Sequence, residues 1–556
     1  MAKLIEIICK NTGIKKIYPI GTSLKDIIKD QNIKLKYPIL GARVNNEIEE
    51  LSYEIFKPKI IEFFDYTNKD GQRMYIRALS FILLKATRDE YPEYELGIEH
   101  AIAKGYYCEF ANLKQPISEE IVNRIKNRML QIITEDIKFT RKEVLAEEAI
   151  RIFNENNYIE KTVLFETCPE FYTSIYSLDG LLDYFYGYLI PSTSYIHLFG
   201  LIPYYDGMLL QIPKTTNPDI LETVVEQNKM YEIFKEFKQW GKIINVSTIG
   251  RINQTVMNKT IGEILKISEA LHEKKVAQIA DRICNEADKK KIILIAGPSS
   301  SGKTTFSKRL AIQLKVAGKK PIQISLDDYF LDREDTPKDE NGVYDFETIY
   351  ALDIELLNNN MNTLMSGGEI KIPRFSFVTG KRYFQGDTMR MNDDDILLLE
   401  GIHGLNPELT KMIDNKVKYK IYVSALTQLG IDKHNRIPTT DNRLIRRIIR
   451  DYQYRNYSAT QTLSRWDSVR RGEEKYIFPF QEEADVMFNS FLVFELGVLK
   501  RYAEPILKEV KPIEPEYSEA SRLLKFLSYF KPIDDEEIPP TSILREFLSG
   551  STFKYS

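Results

Sequence analysis

Cysteine is scarce: only Cys9, Cys108, Cys168 and Cys284 occur in 556 residues, far apart, with no CxxC pair and no Cys/His cluster. That argues against a disulfide framework or a structural zinc site and suits a reducing compartment. Long apolar runs are missing too. No stretch approaches the roughly 20 apolar residues that cross a bilayer. The start, MAKLIEIICKNTG, carries a lysine but neither a long apolar run nor a small-residue cleavage site. A cytoplasmic protein without membrane contact is expected. Nor does one sign of charge dominate: 77 Lys+Arg against 80 Asp+Glu leave a net −3. No overall positive field draws the chain to nucleic acid or anionic lipid, so any polyanion contact would be local. Internal repeats and low-complexity segments are absent as well.

What is present reads as an ordinary globular chain, 43% hydrophobic and 28% charged. At this length three or four domains are expected, each able to bury a core without staples. Residues 1–65 alternate short apolar runs with turns. LIEIIC (4–9), KIYPI (16–20), ILGARV and IIEFFDY read as strands, and Thr22 or Ser23 can cap a helix through about Lys29. Residues 66–215 mix helical stretches (73–89, 118–135, 141–156) with a strand-rich, Tyr-rich end. Residues 216–288 read as a polar helical connector. From 289 the apolar runs IILIAG (292–297), PIQISL (321–326), ILLLE (396–400) and YKIYVS (419–424) alternate with amphipathic helices. That alternation predicts an α/β fold with a parallel sheet and crossover helices.

Gly297-Pro-Ser-Ser-Ser-Gly302-Lys303-Thr304 matches G-x-x-x-x-G-K-[ST], between a strand and a helix. The glycines let backbone amides wrap phosphate oxygens, with the helix N-terminus pointing inward. Lys303 would neutralise β/γ-phosphates and the Thr304 hydroxyl would ligate Mg²⁺. A guanine switch is disfavoured: the two Asn-Lys pairs, Asn258-Lys259 and Asn415-Lys416, have Ile261 and Lys418 where Asn-Lys-x-Asp needs its acid.

Asp327 and Asp328 follow PIQISL, expected beside the first strand, where a carboxylate faces the ligand crevice and can orient and deprotonate a hydroxyl. A turn-forming Asp pair is the bland alternative. Glu400 ends ILLLE and could serve Mg²⁺. Arg443, Arg446, Arg447 and Arg450 share one helix face, with Leu444, Ile445, Ile448 and Ile449 on the other. They read either as a lid over transferring phosphate or as a solvated face. His403 reads as structural.

Together GPSSSGKTT (297–305), SLDDYF (325–330), YDFE (344–347), IPRFSF (372–377), LLLEGI (397–402) and DNRLIRRIIRD (441–451) resemble the uridine/cytidine kinase and phosphoribulokinase family of P-loop kinases. The resemblance implies ATP and Mg²⁺. It implies an ATP site at Gly297, Ser299, Ser300, Ser301, Gly302, Lys303, Thr304 and Thr305, with Arg447 and Arg450. It makes Asp327 the base, with Lys303 and Arg446 assisting catalysis, and places metal at Thr304 and Glu400. Glu347 would bind ribose hydroxyls, Phe375 and Phe377 would pack around the base, and Arg443 would grip substrate. Two departures touch the acceptor side. Gly380 stands where the pyrimidine-reading His of the family falls, and Glu347 replaces the usual Asp.

Residues 1–65 resemble the TGS domain, a β-grasp fold, of threonyl-tRNA synthetases. ALSFILLKATRDEYPEYELGIEHAIAKGYYCEF (78–110) and LDGLLDYFYGYLIPSTSYI (178–196) resemble the editing domain that follows it. Its HxxxH and CxxxH positions hold Arg77, Phe81, Phe185 and Leu189, so neither zinc nor editing hydrolysis is expected. The reading is a kinase of a nucleoside, most directly at the 5′-hydroxyl, and a homo-oligomer, with RNA contact through the front half. The alternatives are a kinase of another sugar or hydroxyl metabolite, or an RNA-binding regulator with an ATP-driven switch.

Overall fold

The structure is a computed structural model that describes residues 3–113, 115–168, 170–286, 290–339 and 342–555. The boundary expected at 288 lies outside the described residues.

The first module is a mixed sheet in the order β2-β1-β7-β4-β5, built from β1 (Leu4–Cys9), β2 (Lys15–Pro19), β4 (Gly41–Val44), β5 (Glu47–Glu49) and β7 (Lys59–Phe64). A short ladder joins β3 (Thr22–Ser23) to β6 (Glu54–Ile55). Helix α1 (Leu24–Asp30) starts where expected, because the Ser23 hydroxyl accepts from the Asp26 amide. β1 and β7 run parallel at the centre, and Ile7, Leu24, Ile27 and Ile61 are fully buried between helix and sheet.

The second region winds around α2 (Lys69–Glu90), capped by Asn68, with a sheet in the order β13-β14-β9-β8. Its strands are β8 (Leu96–Ile102), β9 (Gly105–Phe110), β13 (Gly200–Tyr204) and β14 (Gly207–Gln211), and α3 (Glu119–Thr134) packs beside α2. The helix expected over 141–156 is only partly helical. Thr140–Leu145 is a strand, β10, and α4 follows at Ala146–Glu155. Six residues of β10 pair antiparallel with β11 (Tyr172–Leu178), which in turn pairs with β12 (Leu181–Asp183). The inter-strand ladder overrides the helical propensity of RKEVLAEEA. Helix α5 (Ile159–Thr167) completes the region.

The connector is three helices, α6 (Asn228–Ile243), α7 (Ile249–Met257) and α8 (Ile261–Asn285). It is packed rather than free: Val276, Ile279, Ala280 and Ile283 of α8 share one buried cluster with Phe306, Leu310 and Leu314.

The C-terminal region is a five-stranded parallel sheet ordered β16-β19-β15-β20-β21. Its strands are β15 (Ile292–Ala296), β16 (Lys320–Ser325), β19 (Asp395–Glu400), β20 (Lys418–Ser424) and β21 (Val486–Asn489). The helices are α9 (Lys303–Val316), α10 (Ile354–Met365), α11 (Thr439–Arg455), α12 (Ala459–Tyr476), α13 (Glu495–Lys508) and α14 (Tyr517–Ser528), and a hairpin of β17 (Glu369–Ser376), which buries Ile370, and β18 (Lys381–Arg390), which is mostly exposed, is added to them. All four expected strands form, but β16 is not the neighbour of β15: β19 lies between them, with Ile292 opposite Leu397 and Ile322 opposite the same Leu397. Burial explains the order. Leu397, Leu398 and Leu399 are fully buried, each worth roughly 1.5–3 kcal/mol, so this run takes the centre. β16, with Lys320 and Gln323 exposed, takes the edge.

Candidate active site at the phosphate loop

The loop 297–302 leaves the buried end of β15 and enters α9. Gly297 is required there, because a Cβ would lie 1.9 Å from the carbonyl oxygen of Val423. Gly302 caps α9 in the left-handed conformation, φ +83°. Lys303 is buried and its Nζ donates back to the Pro298 carbonyl at 3.1 Å. The Ser300 and Ser301 hydroxyls are buried with no partner among the described residues, which fits a cradle built for oxyanions.

The loop is held from below by α11. Arg443 donates to the Ser299 carbonyl at 3.1 Å and pairs with Glu473, Nη2 to Oε2 at 2.7 Å. Arg446 donates to the Ser300 carbonyl at 3.4 Å and grips Glu495 with two bonds of 2.9 and 2.6 Å. Both arginines are about 1% exposed or less. The expected lid of four arginines is thus corrected: two of them, desolvated by buried carboxylates, lie beneath the phosphate loop and fix its carbonyls. Such bidentate pairs are strong once both partners are buried, and removing one member is costly. Arg447 reaches the loop from the side, donating to Ser299 Oγ at 2.9 Å and to Asp451 at 3.2 Å. Arg450 is held by Asp451 at 2.9 Å.

Three acids lie near one another beside the loop, Glu400 next to Lys303 and Asp327 within electrostatic reach of Glu400 and Glu347. Glu400 ends β19 and accepts from Thr304 Oγ1 at 3.3 Å. Burial pushes its carboxyl up to about 7, against the pull of Lys303 and with repulsion from Asp327 and Glu546. Asp327 stands in a 3₁₀ turn, Leu326–Tyr329, after β16. Its side chain makes no hydrogen bond among the described residues, while its charge reaches Glu347, Glu400 and Arg455. Asp328 is tied elsewhere: it accepts from the Phe375 amide at 3.3 Å and pairs with Arg374 at 3.5 Å. Burial likewise raises Glu347 to about 7, opposed by Arg447. Gly472 makes room for it, since a Cβ there would meet the Glu347 Cβ at 2.2 Å. His403 is buried and neutral in character, its pKa lowered by burial to about 4.

Phe375 and Phe377 come together, centroids 5.3 Å apart, with Phe330 at 5.5 and 6.2 Å. Arg455, which the sequence did not single out, lies over Phe377 at 5.3 Å. Gly380 is locked in its turn at φ +69°, and a Cβ would press on Arg333 Nε at 2.7 Å. A histidine there would be strained as well as crowded.

Three residues remote in sequence also reach the loop or the start of α9. The Ser299 amide donates to Glu473 at 3.1 Å. At the N-terminus of α9, Thr305 donates to Glu546 Oε2 twice, amide at 3.0 Å and hydroxyl at 2.8 Å, and meets the Tyr555 hydroxyl at 3.0 Å. The side-chain carboxylate of Glu546 therefore occupies an amide that an anion would take. In the front half, Phe81, Phe185 and Leu189 are buried hydrocarbon, with Phe81 and Phe185 rings 5.1 Å apart.

Residues 292–495 match the model of the Phosphoribulokinase / Uridine kinase family. The N-terminal half is similar to threonine--tRNA ligases. The enzyme of Desulforamulus reducens is 30% identical over 191 residues, 34% of this chain and 30% of the relative. That of Clostridium kluyveri is 32% identical over 174 residues, 31% and 27% of the two chains. The chain thus spans 30% or less of the length of these two curated relatives. A solved chain described as "a Possible Uridine Kinase" from Bacillus stearothermophilus aligns with 38% of this chain and 97% of its own, at 19% identity and TM-score 0.25.

Proposed function

We propose that residues 289–556, built on a domain of the phosphoribulokinase/uridine kinase family, transfer the γ-phosphoryl group of ATP to the 5′-hydroxyl of a nucleoside, leaving ADP and the monophosphate. The observation that carries this reading is the Asp327 carboxylate, without a hydrogen bond among the described residues, near Glu347 and Glu400, with Glu400 in turn beside Lys303 of a formed phosphate loop. In the transfer the acceptor oxygen bonds to the γ-phosphorus, the bond to ADP breaks, and the hydroxyl proton passes to Asp327. Lys303 meets the developing charge, and the loop amides not taken by Glu473 or Glu546 hold the polyphosphate. Arg443 and Arg446 act by fixing the loop, while Arg447 and Arg450 stand at its side. Thr304 and Glu400 present adjacent hard oxygen donors suited to Mg²⁺. Bound there, the ion would offset phosphate charge. Phe375, Phe377 and Arg455 would flank the base and Glu347 would accept from ribose hydroxyls. Incubating the purified protein with ATP and a nucleoside panel, and identifying products by mass, tests the reading.

Glu347 gives this site a pH signature. An ionised carboxylate accepts two hydroxyl groups, and its protonated form accepts fewer. With the group raised to about 7, acceptor KM should rise as pH falls below about 7 and stay flat above it. Arg447, Glu473, Asp345 and Asp327 face Glu347, so the comparison needs Glu347→Gln, which should show a high KM at every pH. The same limb in that variant would assign it to another group.

Glu546 should restrain nucleotide binding, because its carboxylate holds the Thr305 amide. Glu546→Gln keeps the shape and removes the charge. ATP should then bind about tenfold tighter, ~1.4 kcal/mol, as read by calorimetry. Unchanged or weaker binding would show that Glu546 supports the site instead.

The same reading proposes four segments, 1–65, 66–215, 216–288 and 289–556, a cytoplasmic location, self-association and an RNA contact by the front half. Limited proteolysis, light scattering and tRNA gel shifts address these points. No helix among the described residues is long and apolar enough to cross a membrane.

A further inference from the structure

A cavity of about 380 Å³ opens between the front half and α14, away from the phosphate loop. Its walls come from α2, β10, the segment after β12, and α14. Two of its basic residues are neutralised. Arg73 pairs with Glu519 at 2.7 Å and Asp70 at 3.1 Å, and Arg522 pairs with Asp441 at 2.7 Å and Glu519 at 2.7 Å. Three others are not.

Arg77 donates to the Tyr188 carbonyl at 2.7 Å and lies over the Tyr186 ring at 5.7 Å. Arg141 donates to Ser174 Oγ at 2.9 Å and lies over the Tyr188 ring at 5.1 Å. Lys525 reaches the same space from α14. Among the described residues none of the three has a carboxylate in ion-pair contact. They crowd one another as well: partial burial, then Arg141 and Arg77, hold Lys525 below its usual range. The backbone is shaped for this placement, because Gly187 sits at φ +136° and a Cβ there would meet the Arg77 guanidinium at 2.7 Å. Cations that repel one another at one cavity, with Glu143 and Glu170 offsetting the charge on Lys525 only in part and with no direct ion pair among the described residues, are stabilised by an added anion.

We propose that this cavity is a binding site for a small oxyanion-bearing metabolite, a carboxylate or a phosphate ester, held by Arg77, Arg141 and Lys525 with Tyr186 and Tyr188 as aromatic walls. The acids that also line it sit apart from that function or complement it. Glu47, Glu143 and Glu170 are exposed to solvent. Glu49 is partly buried, raised to about 7 by burial, and hydrogen-bonded to Tyr188. These acids suit hydroxyl or amine groups on the remainder of the ligand. The bound group would be sensed by the rest of the chain, because the Arg522–Asp441 pair links this wall to α11, the helix beneath the phosphate loop.

The test is calorimetric titration of the full-length protein with inorganic phosphate and, separately, with citrate, each against sodium chloride of equal ionic strength. The two probes distinguish a phosphate ligand from a carboxylate one. Lys303→Ala should leave binding of the better probe intact, which separates this cavity from the phosphate loop and from the kinase reading. Arg77→Gln and Lys525→Gln should each weaken it at least tenfold, with Arg77→Lys restoring part. Lys525→Gln, on the surface of α14, keeps the experiment decisive if Arg77→Gln fails to fold. Binding that is absent for both probes, lost in Lys303→Ala, or unchanged in Lys525→Gln overturns the proposal.

Discussion

Lys303→Ala is expected to remove all but a trace of phosphoryl transfer, with kcat falling by about 10²–10³-fold or more in a protein that melts at nearly the same temperature. The ammonium is buried at the start of α9 and, among the described residues, has one hydrogen-bond partner, the Pro298 carbonyl at 3.1 Å. It contributes little to the fold that alanine, a strong helix former, would not replace. Its charge is instead directed at the loop, where it also opposes the rise of Glu400. A folded Lys303→Ala protein with unchanged turnover would remove the phosphate loop from the chemistry.

The second large effect falls on Asp327. Asp327→Asn preserves size and removes the basic oxygen, so kcat should drop by about 10²–10⁴-fold, with little change in ATP KM or melting temperature. Asp328→Asn is the matched control. Its carboxylate is committed to the Phe375 amide and Arg374, so that change should act on hairpin anchoring and stability, by roughly 0.5–1.5 kcal/mol, and only mildly on kcat. If Asp328→Asn is the inactive protein and Asp327→Asn keeps near-normal turnover, the role belongs to Asp328.

These contrasts show which parts of the molecule were legible in the sequence. The phosphate loop is local: one strand, a fixed glycine spacing and one helix, so its residues fall where the spacing puts them. The four strands were legible for the same reason, as mostly apolar runs. Their order was not, because it depends on comparing burial between β16 and β19, which no single run encodes. Helical spacing put the four arginines of α11 on one face, yet it could not say that Glu473 and Glu495 would draw Arg443 and Arg446 inside. Least legible were the carboxylates that reach the loop from far along the chain. Glu473 meets Ser299 across 174 residues and Glu546 meets Thr305 across 241, with no motif around either. At 140–145 a strongly helical composition lost to strand pairing, a tertiary effect that propensity cannot anticipate.

The central claim, that the acids around the phosphate loop direct ATP's phosphoryl group to a nucleoside hydroxyl, is tested most directly by one measurement. Purified full-length protein is incubated with Mg²⁺, ATP and each of a set of nucleosides and simple sugars, and ADP and product are quantified together by mass spectrometry. The account predicts ADP formed in equal amount with one or more nucleoside monophosphates, and neither formed by Asp327→Asn at a comparable rate. ADP and free phosphate without any phosphorylated acceptor, or a phosphorylated sugar with every nucleoside untouched, would contradict it.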